Sequence, residues 1–446
     1  MKVSRVRYRV GAALVLGVVL GLLSVGTGYA ATAPRPTEIR FAAAAQKSLL
    51  RFPFCSWWFE TTPQSVNVAF PDSSAAYWTT PFFADPGLQI YVKGQFPDAR
   101  FMSVTVYDNN GGTFTRNGVS SGLVDYQIMP DKGTRNPFQQ PARGPGRFTV
   151  TIRRDVSPSQ SNVLPLVPAS PVTGNLLPPG FGFITLRVYL PHGGDFSAVH
   201  LPKLIFSRQG RSQALPPCSG RNSEVGPLVQ MLKNLIKQRA GGMSNPVPAG
   251  AAFARPTAAT TNSLFPNTAT AYIAAAFSPT AGTVVVVQGK APTHTPDSTA
   301  LPWPNPAYDL RYWSLCNNEN VSPFPVVVVT DPQTGAQIFG CSADLNTPVV
   351  NGEYTYVLSS LADRPPNATT ADGVAWLPYS SDQVQNLLIF RNMLGDAFPY
   401  SVQQVPQDNN PASAQQVMGA YYPRLAQCSV STFTQGGPEA CFAASS

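Results

Sequence analysis

From residue 70 to about residue 206, short runs of apolar and polar positions follow one another at 88–93, 101–107, 125–129, 148–153, 183–190 and 201–206. Turn-forming residues separate them, at 85–87, 109–112, 131–133, 178–180 and 193–195. Short runs bounded by Gly, Pro, Asn and Asp are strands, and this spacing predicts an antiparallel β-sandwich of jelly-roll type. The run Ala99-Arg100-Phe101-Met102-Ser103-Val104-Thr105-Val106-Tyr107-Asp108 reads as a buried strand entering the turn Asn109-Asn110-Gly111-Gly112. The period changes over 223–239. There Leu228, Leu232, Leu235 and Ile236 share one helical face, Pro227 suits the first turn, and Gly241-Gly242 suits the stop. That predicts an amphipathic helix, followed by a Pro/Ala/Thr-rich linker over 244–260.

The second half repeats the first. Phe70-Pro71-Asp72 is echoed by Phe265-Pro266-Asn267, and 88–93 before Gly94 by 283–288 before Gly289. Arg100-Phe101-Met102-Ser103 returns as Arg311-Tyr312-Trp313-Ser314, after an insertion holding Pro302-Trp303-Pro304. The runs 148–152, 163–165 and 184–189 are echoed at 354–358, 376–378 and 387–391. Six landmarks in one order at a period near 200 residues indicate a duplicated domain, not a solenoid. Phe101 and Tyr312 are then expected at equivalent core positions. The fold class expected is mainly β: two tandem antiparallel β-sandwich, jelly-roll-like domains with a linking amphipathic helix. The expected divisions are a signal peptide at 1–30, a first sandwich at 31–222, and the helix and linker at 223–260. A second sandwich at 261–405 and a tail with a disulfide loop at 406–446 complete the chain.

Composition adds the compartment. Lys2, Arg5, Arg7 and Arg9 precede an apolar run over 10–25, and Gly28-Tyr29-Ala30 offers small residues for cleavage, the anatomy of a secretory signal peptide. A retained anchor is the rival; no membrane span is expected after cleavage. One further helix is expected over 37–50. Six cysteines in an exported chain imply disulfides, and their spacing favours Cys55–Cys218, Cys316–Cys341 and Cys428–Cys441. Without the first thirty residues the chain carries 27 basic against 23 acidic residues, so nucleic acid is not an expected partner.

The strand at Phe101–Asp108, the turn Asn162-Val163-Leu164-Pro165 and the strand Leu186-Arg187-Val188-Tyr189-Leu190-Pro191 resemble a bacterial family known as domain of unknown function 1214. The second copy resembles it through Tyr312-Trp313-Ser314 and Trp376-Leu377-Pro378, with Cys316 and Asn317 taken to replace the family's Tyr-Asp. The resemblance implies an exported β-rich fold and brings no reaction, cofactor or catalytic residue.

Candidate chemistry is sparse. Gly118-Val119-Ser120-Ser121-Gly122 has the spacing of a nucleophile elbow, but no helix is expected after it, so it reads as a loop. His192 and His200 flank Gly193-Gly194-Asp195 and are the one histidine cluster available for acid–base work; His294 stands apart. Asp108, Asp125 and Asp131 end neighbouring strands and could face a cleft as glycosidase carboxylates, although turn aspartates usually bond their own backbone. Arg100/Arg311 and Arg187/Arg391 recur in both copies, as structural ion pairs or as anion contacts, with the structural reading favoured. Trp57, Trp58 and Trp303 are candidate ligand platforms, with burial in the core as the plainer reading. No cofactor and no metal are expected.

The function expected is that of a secreted or cell-envelope protein that binds a carbohydrate, lipid or protein partner outside the cytoplasm. The alternative is an extracellular hydrolase of glycans or esters using His192, His200, Asp195 or Asp108. A deep pocket lined by the histidines and Asp195 would favour the hydrolase, and an exposed tryptophan strip would favour binding.

Overall fold

The computed structural model describes residues 55–85, 87–141, 144, 146–168, 179–218, 226–241, 252–257, 265–380 and 384–445. The signal segment expected at 1–30, the helix expected over 37–50 and most of the linker lie outside them. The protein is mainly β. In the first half the strands are β1 (Phe59–Thr61), β2 (Ala75–Phe83), β3 (Leu88–Gln95), β4 (Ala99–Tyr107), β5 (Thr115–Arg116), β6 (Val119–Ser120), β7 (Gly122–Val124), β8 (Arg147–Arg153), β9 (Val163–Pro165), β10 (Phe181–Pro191), β11 (Lys203–Arg208) and β12 (Arg211–Ala214). Helix α1 (Gly226–Gly241) follows. In the second half come β13 (Thr270–Phe277), β14 (Thr283–Lys290), β15 (Tyr312–Glu319), β16 (Val328–Thr330), β17 (Gln337–Phe339), β18 (Cys341–Ala343), β19 (Val349–Val350), β20 (Glu353–Ser359), β21 (Ala375–Pro378) and β22 (Asn386–Met393). Helix α2 (Pro411–Met418), β23 (Arg424–Ser429) and helix α3 (Val430–Ser445) close the chain.

The first sandwich pairs a sheet of order β1-β2-β10-β4-β7 with one of order β12-β11-β3-β8-β9. The second pairs β13-β22-β15-β18 with β19-β20-β14-β23, where β21 joins β20. The strand orders correspond, including the parallel pairings β8–β9 and β20–β21. Gly94 opposite Phe148 and Gly289 opposite Tyr354 fix the same register. The residues expected as a tail supply β23, which pairs with β14 as β11 pairs with β3. Of the linker, residues 252–257 are pinned to the second sandwich: Phe253 is fully buried in its core and Arg255 donates to the carbonyls of Gln403 and Val405.

The central strands β4, β10, β15 and β22 are buried on both faces. Side chains alternate across a strand, so Met102, Val104 and Val106 enter the first core, and Trp313 and Leu315 the second. Phe101 and Tyr312 therefore point the other way. They are equivalent in register, but they meet in a layer between the two sandwiches with Tyr189, Ala269, Met393 and Leu394, which corrects their expected core placement. The register also corrects the alignment of the strand end. Arg187 lies opposite Ser103 and Arg391 opposite Ser314, so Asn318 occupies the place of Tyr107, and Cys316 that of Thr105.

The three disulfides join Cys55–Cys218, Cys316–Cys341 and Cys428–Cys441. The apolar face of α1 covers the first sandwich. Leu232 and Ile236 pack on Trp58, Phe59, Val66 and Val68, and Leu235 on Phe83, Tyr107 and Phe183. No helix among the described residues is long and apolar enough to cross a membrane. Gly122 takes the place of Cys341, and a Cβ there would lie 2.8 Å from Thr268 Oγ1 of the second half. Gly122→Val is expected to lower stability by about 1–3 kcal/mol through overpacking, read as a shifted urea midpoint with an unchanged slope.

Candidate functional site

The layer between the sandwiches is held crosswise. Arg100 of the first half donates to Asp344 of the second at 2.6 Å, and Arg311 of the second donates to Asp125 of the first at 2.8 Å. Each aspartate opens a 3-10 turn directly after the strand beside β4 or β15, and each also accepts a backbone N–H from its own sandwich, Met102 to Asp125 and Trp313 to Asp344. Burial pushes both carboxyls up, and the arginine beside each pulls them back. The segments around Phe70 and Phe265 cross over in the same way. Phe70 N donates to Phe324 O in the second half, and Phe265 N to Gly111 O in the first. Arg391 then donates to Phe70 O and Arg187 to Phe265 O, each at 2.9 Å. Arg100, Arg311 and Arg391 thus lie beside buried aspartates, as the structural reading expects.

The candidate residues are scattered. His192 and Asp195 are exposed, with His192 Nδ1 3.9 Å from Asp98 and Asp195 capping a turn through Ser197. His200 is exposed as well. Asp195 is held below the usual carboxylate range by the Ser197 hydroxyl and backbone N–H. Asp108 accepts the N–H groups of Asn110 and Gly112, so it shapes its turn. Asp125 is consumed by Arg311, and Asp131 accepts the Thr149 hydroxyl. Trp57 and Trp58 are 4% and 3% exposed, and their indole N–H groups donate to Pro202 O and Cys55 O. They form no exposed strip. Trp303 is half-buried, lies against the Arg311 guanidinium and carries the 297–303 insertion over the first sandwich, where its N–H donates to Phe138 O.

Among the described residues His192, Asp195 and His200 are exposed and Trp57 and Trp58 are buried, so these residues form neither a deep histidine pocket nor an exposed tryptophan strip. Among the described residues, the metal-ligand cluster found is Asp72, Cys316 and Cys341. Its two sulfurs are bonded to each other and offer no thiolate.

A different place has the shape of a ligand site. A cleft of about 670 Å³ opens where β6, β7 and the following turn meet residues 268–269 and 394–396 of the second half. Leu123, Tyr126, Met129 and Leu394 give it apolar surface, and Ser120, Gln127, Gln160, Ser161 and Thr268 add hydroxyls and amides. Among the described residues that line it, Asp396 is the one carboxylate, and none is a lysine, arginine, histidine or cysteine. Burial and the nearby Asp396 and Asp125 raise the Tyr126 phenol, so it stays neutral. Asn162 at the rim is committed to Met129 and Thr149 backbone groups. Sequence reasoning missed this cleft because its two walls are more than 100 residues apart and contain only common loop residues.

No protein-family model matches the chain, and no curated protein matches it. Two solved structures are similar in course. One is an uncharacterized protein from Burkholderia cenocepacia, 12% identical, with 94% of this chain and 96% of that chain covered and a TM-score of 0.49. The other is a protein from Vibrio parahaemolyticus, 8% identical, with 87% and 94% covered and a TM-score of 0.37.

Proposed function

We propose that the protein is an exported, non-catalytic binder of a neutral, hydroxyl-rich chain such as a glycan, held in the cleft between the two sandwiches. The observation that carries this reading is the lining: hydroxyls and amides beside an aromatic ring and a thioether, with a single carboxylate. A tyrosine face and the half-exposed Met129 suit the C–H face of a sugar, and uncharged donors and acceptors suit its hydroxyls. A glycosidase needs two carboxylates across the bond it breaks, and a serine hydrolase needs a base beside its nucleophile. The cleft lining has neither pair. Three disulfides agree with an oxidising compartment outside the cytoplasm.

The test is calorimetric titration of the mature protein with oligosaccharides cut from bacterial envelope polysaccharide. Tyr126→Ala and Met129→Ala are expected to weaken binding about tenfold each, or about 1.4 kcal/mol, with the fold intact by circular dichroism. Affinity unchanged in both variants, or hydrolysis of the oligosaccharide by the wild type, would sink the proposal.

A further inference from the structure

Of the differences between the two halves of the inter-sandwich layer, one removes a buried charge. In one half-site Asp72 Oδ1 accepts Ser74 N at 3.0 Å. Its Oδ2 accepts Tyr312 OH at 2.9 Å and Ser314 Oγ at 2.8 Å, with Arg391 Nη1 3.7 Å away. In the other half-site Asn267 replaces Asp72, Ser103 replaces Ser314, Phe101 replaces Tyr312 and Arg187 replaces Arg391. Asn267 Oδ1 accepts Ala269 N at 3.1 Å, just as Asp72 accepts Ser74. That bond fixes the amide orientation, so Nδ2 stands where the second carboxylate oxygen stands in the twin.

The substitution turns an acceptor into a donor. Arg187 Nε and Nη1, Asn267 Nδ2 and Ser103 Oγ are all buried, and none has a hydrogen-bond partner among the described residues; the guanidinium lies over the Tyr77 ring, 5.1 Å from its centroid. Arg187 Nη2 is already used by Tyr107 OH and Phe265 O. The guanidinium is 3% exposed and, unlike the other three buried arginines, has no carboxylate within ion-pair distance among the described residues.

Charge gives an independent argument. Among the described residues the buried ionisable acids and bases, tyrosines aside, are Arg100, Arg187, Arg311 and Arg391 against Asp72, Asp125 and Asp344. One positive charge is left over, and it falls at the site where the donors lack an acceptor. A buried charge is normally paired. Water could fill the hydrogen bonds but not the charge.

We infer that a small monovalent anion, of which chloride is the common example, is bound between Arg187, Asn267 and Ser103, and supplies the negative charge that the Asp72 carboxylate supplies in the other half-site. Arg187 Nη1, placed as Arg391 Nη1 is beside Asp72, together with the Asn267 amide N–H and the Ser103 hydroxyl, is a suitable halide ligand set. The site would be a structural ion site, and none of Arg187, Asn267 and Ser103 is among the residues that line the cleft.

The test uses the intact mature protein and bromide as the probe. At constant ionic strength, with gluconate as the anion too large to enter, replacing gluconate by bromide should raise Tm by about 2–5 °C. A crystal grown in bromide should show an anomalous peak between Arg187, Asn267 and Ser103. Asn267→Asp supplies the carboxylate covalently, so its Tm in gluconate should exceed that of the wild type and no longer respond to bromide. Water alone at the position, an unresponsive wild-type Tm, or an Asn267→Asp protein that keeps the full bromide response would each overturn the inference. Should Asn267→Asp fail to fold, the wild-type peak and Tm response still decide.

Discussion

Asp125→Ala is expected to lose about 3–5 kcal/mol of unfolding free energy, the range for breaking one side of a buried ion pair. The carboxylate serves three donors at once: Arg311 Nη1 at 2.8 Å, Met102 N at 2.8 Å and Tyr126 N at 2.6 Å. Truncation leaves the Arg311 guanidinium, fully buried, without its counter-charge. The remaining bonds, from Arg311 Nε to Arg100 O and from Nη2 to Leu301 O, satisfy donors but not the charge. The measurement is urea denaturation at neutral pH, and a loss under about 1 kcal/mol would contradict the account. The double variant Asp125→Leu/Arg311→Met removes both charges and is expected to recover a large part of the loss, because the penalty comes from the orphaned ion more than from the missing attraction. Asp344→Ala, in the twin position against Arg100, should behave alike.

Replacing Cys55 and Cys218 by serine is expected to remove about 5 kcal/mol, against about 3 kcal/mol for Cys428 and Cys441, if loop-closure entropy governs. The difference follows from the separations, 163 residues in the first pair and 13 in the last. The first bond ties residues near both ends of the first sandwich, where Ser56 bridges Pro217 in parallel beside β1. Without it, β1 and the segment under α1 lose their covalent tether while the central strands keep theirs through pairing. Chemical denaturation of the two double variants, side by side, checks the ranking. A smaller loss for the long loop would show that the unfolded chain is not the state the bond acts on.

The sandwiches were legible because period-two runs and turn residues report them locally, and the disulfide pairings were legible from the even cysteine count and the spacing. The layer between the sandwiches was not. A strand buried on both faces shows little alternation, so Ser103, Thr105 and Arg187 gave no sign of facing a second sandwich. The histidines drew notice by their rarity, and the structure places His192 and His200 on exposed loops, where a lone histidine is easily tolerated. One signal was present and unread: Phe70-Pro71-Asp72 and Phe265-Pro266-Asn267 differ by a single charge, which only becomes informative once Arg187 and Arg391 are known to be its neighbours. The aspartates that neutralise Arg100 and Arg311 could have been sought at matching places in both copies, because a repeated arginine in an apolar strand demands a repeated acid.

The crosswise pairing of Arg100 with Asp344 and Arg311 with Asp125 is the contact pattern of an isologous two-fold interface, in which each partner offers the same patch. Here both partners belong to one polypeptide, so the molecule is a pseudo-homodimer with its subunits joined end to end. A true symmetric pair would have to carry every change on both sides at once. Joining lifts that constraint: one side can hold a built-in carboxylate and a disulfide while the other holds an amide, a threonine and a glycine, and the shared interface survives the divergence.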